Sequence, residues 1–114
     1  MKTAIQEQRR APRVVFISSA TIRYEQNQVV ETKVDTRNIS INGMYLETDL
    51  RIPLDIPCKI TIELAGATSK MAFKVQGMVC RHDQTGMGFV FTQLDPDSYL
   101  HITNLVKLHA AEKR

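Results

Sequence analysis

The chain has 114 residues, with 15 Lys and Arg against 12 Asp and Glu, a net charge of +3 at pH 7 and 43% apolar residues. This length and apolar content suit one domain with its own core, so the two cysteines are not the scaffold of a secreted miniprotein. The longest uncharged stretch falls short of the roughly 18 to 20 residues that span a bilayer, and residues 1–10 lack the apolar core of a secretory signal, so we expect a cytoplasmic protein without membrane insertion.

The positive excess lies entirely in the first 13 residues. That segment contains four basic residues and one acidic residue: Lys2, Arg9, Arg10 and Arg13 against Glu7. The rest of the chain holds eleven residues of each sign. A uniformly basic face, which a nucleic-acid binder would use along many phosphates, is therefore not indicated, and we expect no DNA or RNA partner. One short basic segment suits a ligand with few negative charges.

Alternation of apolar and polar residues predicts strands through most of the chain. The first two strands are expected at residues 13–24 and 29–40, the second of them rich in Val and Thr. The Asn42-Gly43 pair that follows predicts a tight reversal with positive φ angles, and a third strand is expected at 44–49.

Three further strands are predicted from apolar residues that alternate with polar ones. Their inward positions are Ile60, Ile62 and Leu64 in the fourth, Phe73, Val75, Gly77 and Val79 in the fifth, and Phe89 and Phe91 in the sixth. A turn at residues 82–86 joins the last two strands. Gly77 and Gly88 are expected to let a barrel bend.

The periodicity then changes to that of a helix over residues 97–112. Asp95 is the predicted N-cap, with Pro96 at the first helical position. The predicted inward stripe consists of Tyr99, Ile102, Leu105, Val106 and His109. The fold expected is mainly β, a six-stranded antiparallel barrel with a C-terminal α-helix, formed by a single domain over residues 9–112 after a flexible basic arm at 1–8.

Metal and catalytic sites are not indicated by the sequence. Cys58 and Cys80 do not form a Cys-x-x-Cys pair, and the three histidines share no ligand spacing with them. Neither a Gly-x-Ser-x-Gly nucleophile elbow nor a Gly-rich phosphate loop occurs. We therefore expect no metal, no cofactor and no enzymatic activity.

One cluster of candidate binding residues is Gln-Arg-Arg-Ala-Pro-Arg at residues 8–13. Pro12 prevents a regular helix there, so the segment is extended or turned. The guanidinium fork binds phosphate bidentately, and its plane also stacks on purines, which lysine cannot do. Arg9, Arg10 and Arg13 therefore favour a nucleotide over a generic anion. The alternative is a solvated basic tail.

The second cluster is Asn-Ile-Ser-Ile-Asn-Gly at residues 38–43. On a strand, Asn38 and Ser40 would point to the same face, and Gly43 would let a flat ligand approach the backbone closely. An amide, a hydroxyl and a bare backbone can together read a base edge. The alternative is an ordinary hairpin, because Asn-x-Ser and Asn-Gly are turn formers.

Together, the two clusters resemble the motifs of the bacterial PilZ domain, and the resemblance runs from residue 9 to about residue 105. Members of that family carry Arg-x-x-x-Arg just before the first strand and Asp/Asn-x-Ser-x-x-Gly at the end of the second. The chain matches every specified position, with Arg9, Arg13, Asn38, Ser40 and Gly43. Its Gly-Met-Gly-Phe-Val-Phe segment at residues 86–91 is also similar to the family's late Gly-x-Gly strand.

The resemblance implies a receptor for cyclic di-GMP, a ring of two guanylates with two negative charges. In that case Arg9 and Arg13 would grip phosphate and stack on or bond guanine, with Arg10 as a third contact. The arm would be mobile without ligand and fold over it when bound. This change would signal to a protein partner, which in the family belongs to motility, pilus or exopolysaccharide machinery.

The remaining ligand contacts implied by the resemblance lie in the barrel. Asn38 and Ser40 would read a guanine edge, and Gly43 would leave room for it. Arg81, at the end of the fifth strand, stands where some relatives place a guanine-stacking side chain, and its alternative is a solvated strand end. Gln8 stands directly before the first motif arginine, where relatives vary in a way that is tied to binding one ligand or an intercalated pair. A glutamine at this position does not distinguish the two cases.

Two other functions are weighed against the receptor. The first is a PilZ-like protein-interaction adaptor that binds no nucleotide, since some family members lack the motifs, which are intact here. The second is a barrel that binds single-stranded nucleic acid through stacking aromatics interleaved with basic residues. The chain has no Trp, and Phe73, Phe89 and Phe91 occupy apparent core positions, so that face is not indicated.

Overall fold

A computed structural model describes residues 17–66 and 70–112, which form six β-strands, a short 3-10 helix and one α-helix. The elements in chain order are β1 Ile17–Tyr24, β2 Gln28–Lys33, the 3-10 helix Thr36–Asn38, β3 Gly43–Glu47, β4 Pro57–Ala65, β5 Lys70–His82, β6 Gly86–Gln93 and α1 Pro96–Glu112. The predicted arm at 1–8 and the predicted start of the first strand at 13–16 lie outside the described residues.

The six strands lie in one antiparallel sheet in the order β2-β1-β4-β5-β6-β3. The sheet curls into a half-barrel, and its two edge strands, β2 and β3, do not pair with each other within the described residues. The predicted mainly β fold of six antiparallel strands and a C-terminal helix is confirmed. β5, the longest of the described strands, lies between β4 and β6.

The core lies on the concave face of the sheet, where the inward positions of neighbouring strands are in register. Ile62 of β4 stands between Ala20 of β1 and Phe73 of β5, and Ile60 is paired with Ile22 and Val75 in the same way. All six side chains are buried. Burying each of the five side chains larger than alanine stabilises the fold by roughly 1.5 to 3 kcal/mol. These two rows therefore hold the central strands together.

The N-terminus of α1 is capped as predicted. The Asp95 carboxylate accepts a hydrogen bond from the backbone N–H of Ser98 at 2.7 Å. The Ser98 hydroxyl in turn donates to the backbone carbonyl of Lys74 at 2.8 Å, which ties the first turn of the helix to β5. The cap therefore sets both where the helix begins and where it meets the sheet.

The face that α1 turns to the sheet is narrower than predicted. Ile102 and Leu105 are buried as expected. Tyr99 and Val106 were also predicted to face inward, but they are 50% and 43% exposed. This part of the prediction is wrong because, among the described elements, α1 packs mainly against β5 and the 3-10 helix, and such a contact covers a single stripe of the helix. The side chain of His109 lies outside the described part of the structure.

The second strand ends earlier than the predicted boundary at residue 40. β2 stops at Lys33, and a 3-10 helix follows with Asp35 as its N-cap. The Asp35 carboxylate accepts from the backbone N–H of Arg37 at 2.9 Å, an interaction that competes with continued strand pairing. Asn38 is therefore the last residue of this helix and not a strand residue, which corrects the prediction.

The reversal at Asn42-Gly43 is present but has a different geometry from the one predicted. Within the described residues, positive φ angles occur at Glu25 and Asp55 and at no glycine. The reversal is held instead by Ser40, whose hydroxyl accepts from the Asn42 backbone N–H at 3.2 Å and whose own N–H donates to the Gly43 carbonyl at 2.8 Å. The prediction of positive φ is wrong because the serine side chain closes the turn.

None of the helices in residues 17–66 and 70–112 has the length and apolar character needed to cross a membrane.

Candidate functional site

An open pocket of about 350 Å³ brings together the described members of the predicted site. Those that line it are Asn38, Ser40, Gly43 and Arg81. The pocket lies on the face of β3 opposite the buried side chains Met44 and Leu46, which places it on the outer face of the sheet, across β3, β6 and the end of β5. The predicted binding residues Arg9, Arg10 and Arg13 of the first motif lie outside the described residues.

One side of the pocket is formed by the segment between the 3-10 helix and β3. Asn38 is half-buried at the end of the helix, and Ser40 is exposed in the reversal. Between them, Ile39 is buried and forms an isolated bridge to Met44. The apolar residue anchors the segment to the core, while its two polar neighbours stay at the rim of the pocket.

The floor of the pocket at Gly43 is made by close strand pairing. Gly43 stands opposite Val90 in the β3–β6 register, and the Phe91 N–H donates to the Asn42 carbonyl at 2.8 Å. A Cβ atom at Gly43 would lie 2.0 Å from the carbonyl oxygen of Phe89. The close approach of β6 therefore requires a glycine at position 43, whether or not a ligand binds above it.

Arg81 reaches the outer face because of a β-bulge in β5. Val79 pairs with Phe89 and Arg81 pairs with Gly88, so Cys80 is an extra residue without a partner across the strands. Without the bulge, Arg81 would share the inward parity of Val79. Bulges re-aim side chains in this way, and here the bulge directs Arg81 into the pocket.

Arg81 is held at the rim by a hydrogen-bonded network. Its guanidinium forms an ion pair with Asp83 at 3.3 Å and lies over the ring of Tyr45, 5.2 Å from the ring centroid. The Tyr45 hydroxyl donates to the Asp83 carboxylate at 2.5 Å. The same carboxylate accepts from the backbone N–H groups of Thr85 and Gly86 at 3.0 and 2.9 Å. The network therefore links β3, β5 and the turn before β6.

The comparisons with known proteins agree with the motifs and the fold. The family model of the PilZ domain matches residues 7–108, which is most of the chain. The chain belongs to the PilZ domain family. A search of curated proteins finds no match. As a family, PilZ domains are receptors for cyclic di-GMP and not enzymes, although some of them bind no nucleotide.

The network at the rim of the PilZ pocket shifts the pKa of both of its acidic groups. The hydrogen bond from Tyr45, with those from the Thr85 and Gly86 backbone, lowers the pKa of Asp83 to about 2. The hydrogen bond to Asp83 raises the pKa of Tyr45. Both shifts favour one arrangement, a charged carboxylate that accepts from a protonated phenol, so Arg81 faces a carboxylate that stays ionised at neutral pH.

The pKa of Asp83 predicts how Asp83→Asn changes thermal stability with pH. A carboxyl group whose pKa falls from 3.8 to about 2 on folding stabilises the native state above pH 3.8 and loses this contribution as the pH falls toward 2. We expect Asp83→Asn to lower the melting temperature at pH 7, and the difference from wild type to shrink between pH 4 and pH 2. Melting followed by circular dichroism at each pH measures this.

The matched control for this variant is Asp49→Asn, in the exposed segment after β3. Asp49 has no hydrogen bond or ion pair within residues 17–66 and 70–112, so its replacement should leave the melting temperature close to wild type at every pH. A difference between wild type and Asp83→Asn that stays constant from pH 7 to pH 2 would contradict the role assigned to the carboxylate.

Several residues in the pocket and in the network beside it were missed in the sequence. Tyr45 lies two residues after Gly43 on β3, so period-two spacing alone could have placed it on the same face. Asp83 and Thr85 have the sequence character of ordinary turn residues. Nothing in the sequence indicates that they form hydrogen bonds with Tyr45, from which they are separated by 38 and 40 positions along the chain. Cys80 was assigned no role, because a bulge is not visible in the alternation pattern.

The described residues do not assemble a metal site or a second site around Cys58 or His82. Within residues 17–66 and 70–112, His, Cys, Asp and Glu side chains do not gather in groups that could hold a metal ion. Cys58 is buried, and burial raises the pKa of its thiol to about 11. His82 is engaged with the backbone carbonyl of Ile52 at 2.7 Å. The pocket around Arg81 therefore remains the candidate site.

Proposed function

We propose that this PilZ domain is a cyclic di-GMP receptor that takes the ligand in the pocket on the outer face of β3, β6 and β5. The observation that carries the proposal is the convergence of Asn38, Ser40, Gly43 and Arg81 on this one pocket. Three of these belong to the family's second motif and come from a helix end, a reversal and a strand start. Arg81 comes from a strand that is distant in sequence.

The polar groups of the pocket suit the edge of a guanine base. The Asn38 amide offers both a donor and an acceptor, and it has no hydrogen-bond partner within the described residues. The Ser40 hydroxyl is engaged only with backbone groups of its own turn, at 3.2 and 3.4 Å. A base edge that presents donors and acceptors side by side can bond to both residues at the rim.

Chain length supports a contribution from the arginines of the first motif. The backbone N–H of Val34 donates to the carbonyl of Ser18 at 3.2 Å, so the start of β1 lies beside the segment that leads to Asn38. Arg13 is five residues before Ser18, and a chain spans at most about 3.3 to 3.6 Å per residue. This reach of roughly 17 Å exceeds the roughly 14 Å that the four residues from Val34 to Asn38 could span even if fully extended.

The proposed contacts account for both affinity and signalling. Ordering residues 9–13 costs roughly 5 to 10 kcal/mol, while each charge-assisted hydrogen bond contributes about 1.5 to 3 kcal/mol and each stacked base about 1 to 3 kcal/mol. Five or six such bonds and two stacked bases therefore leave roughly 8 kcal/mol, a dissociation constant around micromolar. We propose that Arg9, Arg10 and Arg13 close over the ligand and that the changed surface is read by a protein partner. Because the phosphates are charged, added salt should weaken binding.

Isothermal titration of cyclic di-GMP into the folded protein tests this function. We expect a dissociation constant near micromolar, no binding of GTP, and a loss of tenfold or more in affinity for Arg13→Ala, about the value of one charge-assisted bond. Arg23→Ala is the matched control because Arg23 is exposed on β1, which β4 separates from the strands of the pocket.

Binding that is lost equally in both arginine variants would indicate a general charge effect and contradict the motif-specific contact. If the folded wild-type protein gives no heat at two temperatures, the receptor function fails, and the adaptor that binds no nucleotide takes its place. The same titration gives the number of ligands per chain.

A further inference from the structure

Arg81 crosses the outer face of the sheet over a glycine. Tyr45 on β3, Gly88 on β6 and Arg81 on β5 are directly opposite one another in register, so they form one row across three strands. Gly88 in the middle contributes no side chain. The flanking residues therefore meet above it, and the Arg81 guanidinium lies over the Tyr45 ring, 5.2 Å from its centroid.

The space that Arg81 occupies exists only because residue 88 is a glycine. A Cβ atom on Gly88 would lie 3.0 Å from Nε and 3.2 Å from Cγ of Arg81, closer than such contacts normally are. The atoms in the way belong to a flexible side chain and not to the backbone, in contrast to the contacts around Gly43. An added methyl group at 88 would thus displace Arg81 without forcing the strands apart.

Asp83 fixes the remaining edge of the guanidinium. One of its oxygens accepts from Tyr45, Thr85 and Gly86, so the carboxylate is held in place independently of Arg81. The other oxygen forms the ion pair with Arg81 at 3.3 Å. Arg81 is therefore bounded below by Gly88, on one face by Tyr45 and at one edge by Asp83, while its side chain remains 61% exposed toward the pocket.

We infer that Gly88, Tyr45 and Asp83 are positioning residues that hold Arg81 as the middle layer of a stack, with the Tyr45 ring on one face and a purine base of the ligand on the other. The inference rests on the proposed function and on the base-stacking role that the resemblance implies for Arg81, and it adds the three residues that hold Arg81 in place. The positive charge of Arg81 is already paired with Asp83, which weakens its attraction for a phosphate, whereas its flat face stays open for stacking.

A double-mutant cycle on Gly88 and Arg81 tests this arrangement by titration with cyclic di-GMP. We expect Arg81→Ala to weaken binding about tenfold, the usual size of one base-stacking contact, and Gly88→Ala to weaken it nearly as much. In the Arg81→Ala background, adding Gly88→Ala should cause no further loss, because the displaced side chain is already gone. Melting temperatures of all four proteins serve as the control for folding.

Arg81→Lys separates stacking from charge, because lysine keeps the positive charge and lacks the plane. We expect it to bind as weakly as Arg81→Ala, and an affinity near wild type would overturn the stack. An additive loss in the double variant would mean that the methyl group blocks the ligand directly, which also overturns the inference. If Arg81→Ala binds cyclic di-GMP as tightly as wild type, the stack is wrong but the receptor function stands. If the wild-type protein does not bind cyclic di-GMP, both the stack and the receptor function are wrong.

Discussion

Replacing Gly43 with alanine should lower the melting temperature of the ligand-free protein by about 5 to 15 °C, from an overpacking cost of roughly 1 to 3 kcal/mol. The new Cβ would lie 2.0 Å from the Phe89 carbonyl oxygen and 3.0 Å from its carbon. Both are backbone atoms of β6, so no side-chain rotation can relieve the contact. Among the described strands β3 lies at the edge of the sheet beside β6, and it must move away to make room.

The matched control adds the same methyl group on the neighbouring strand. Gly88→Ala meets only the flexible side chain of Arg81, so its melting temperature should stay near that of wild type. Circular dichroism melts of the two variants and wild type make the comparison. Equal melting temperatures for Gly43→Ala and wild type would show that the β3–β6 pair is looser than described, and the reason given for glycine at this position would be wrong.

Displacing β3 should also affect ligand binding, because β3 carries Tyr45. The Tyr45 ring would then shift relative to Arg81 on β5, and the turn at Ser40 would move with the strand. In this chain a glycine at position 43 is thus required by the pairing of β3 with β6, independently of any contact with the ligand.

The strands were predictable wherever burial follows a strict period of two. Ile60 and Ile62 alternate with polar residues, and both are fully buried in the core between β1 and β5. The same reasoning failed after Lys33, because Asp35 closes a local turn whose hydrogen bond competes with strand pairing. Helical periodicity likewise identified α1 but overestimated the width of its buried stripe at Tyr99.

The candidate site was predictable only in its local motif residues. Asn38, Ser40 and Gly43 stand within six residues of one another, and the chain itself keeps them close. The network of Tyr45 with Asp83 depends on which strands pair and in what register, and a single sequence does not reveal this. Arg81 faces the pocket because of the bulge at Cys80, which reverses the parity that the alternation pattern assigns.

That bulge places a chemical probe inside the pocket, and bound cyclic di-GMP should protect it. Cys80 is exposed and lines the pocket, whereas Cys58 is buried with its thiol pKa raised to about 11. At pH 8 only about one Cys58 in a thousand is a thiolate, the form that reacts with maleimides. N-ethylmaleimide should therefore modify one cysteine of the native protein.

The rate of this modification, followed by intact-protein mass spectrometry, should fall as the pocket fills. If only the free protein reacts, ligand at 100 times its dissociation constant slows labelling about 100-fold by mass action. GTP at the same concentration should give no protection, and native Cys80→Ser should take up almost no reagent. Equal labelling rates with and without cyclic di-GMP, in a protein that titration shows to bind it, would mean that the ligand leaves the outer face of β5 uncovered. The geometry therefore allows the location of the ligand to be tested separately from its affinity.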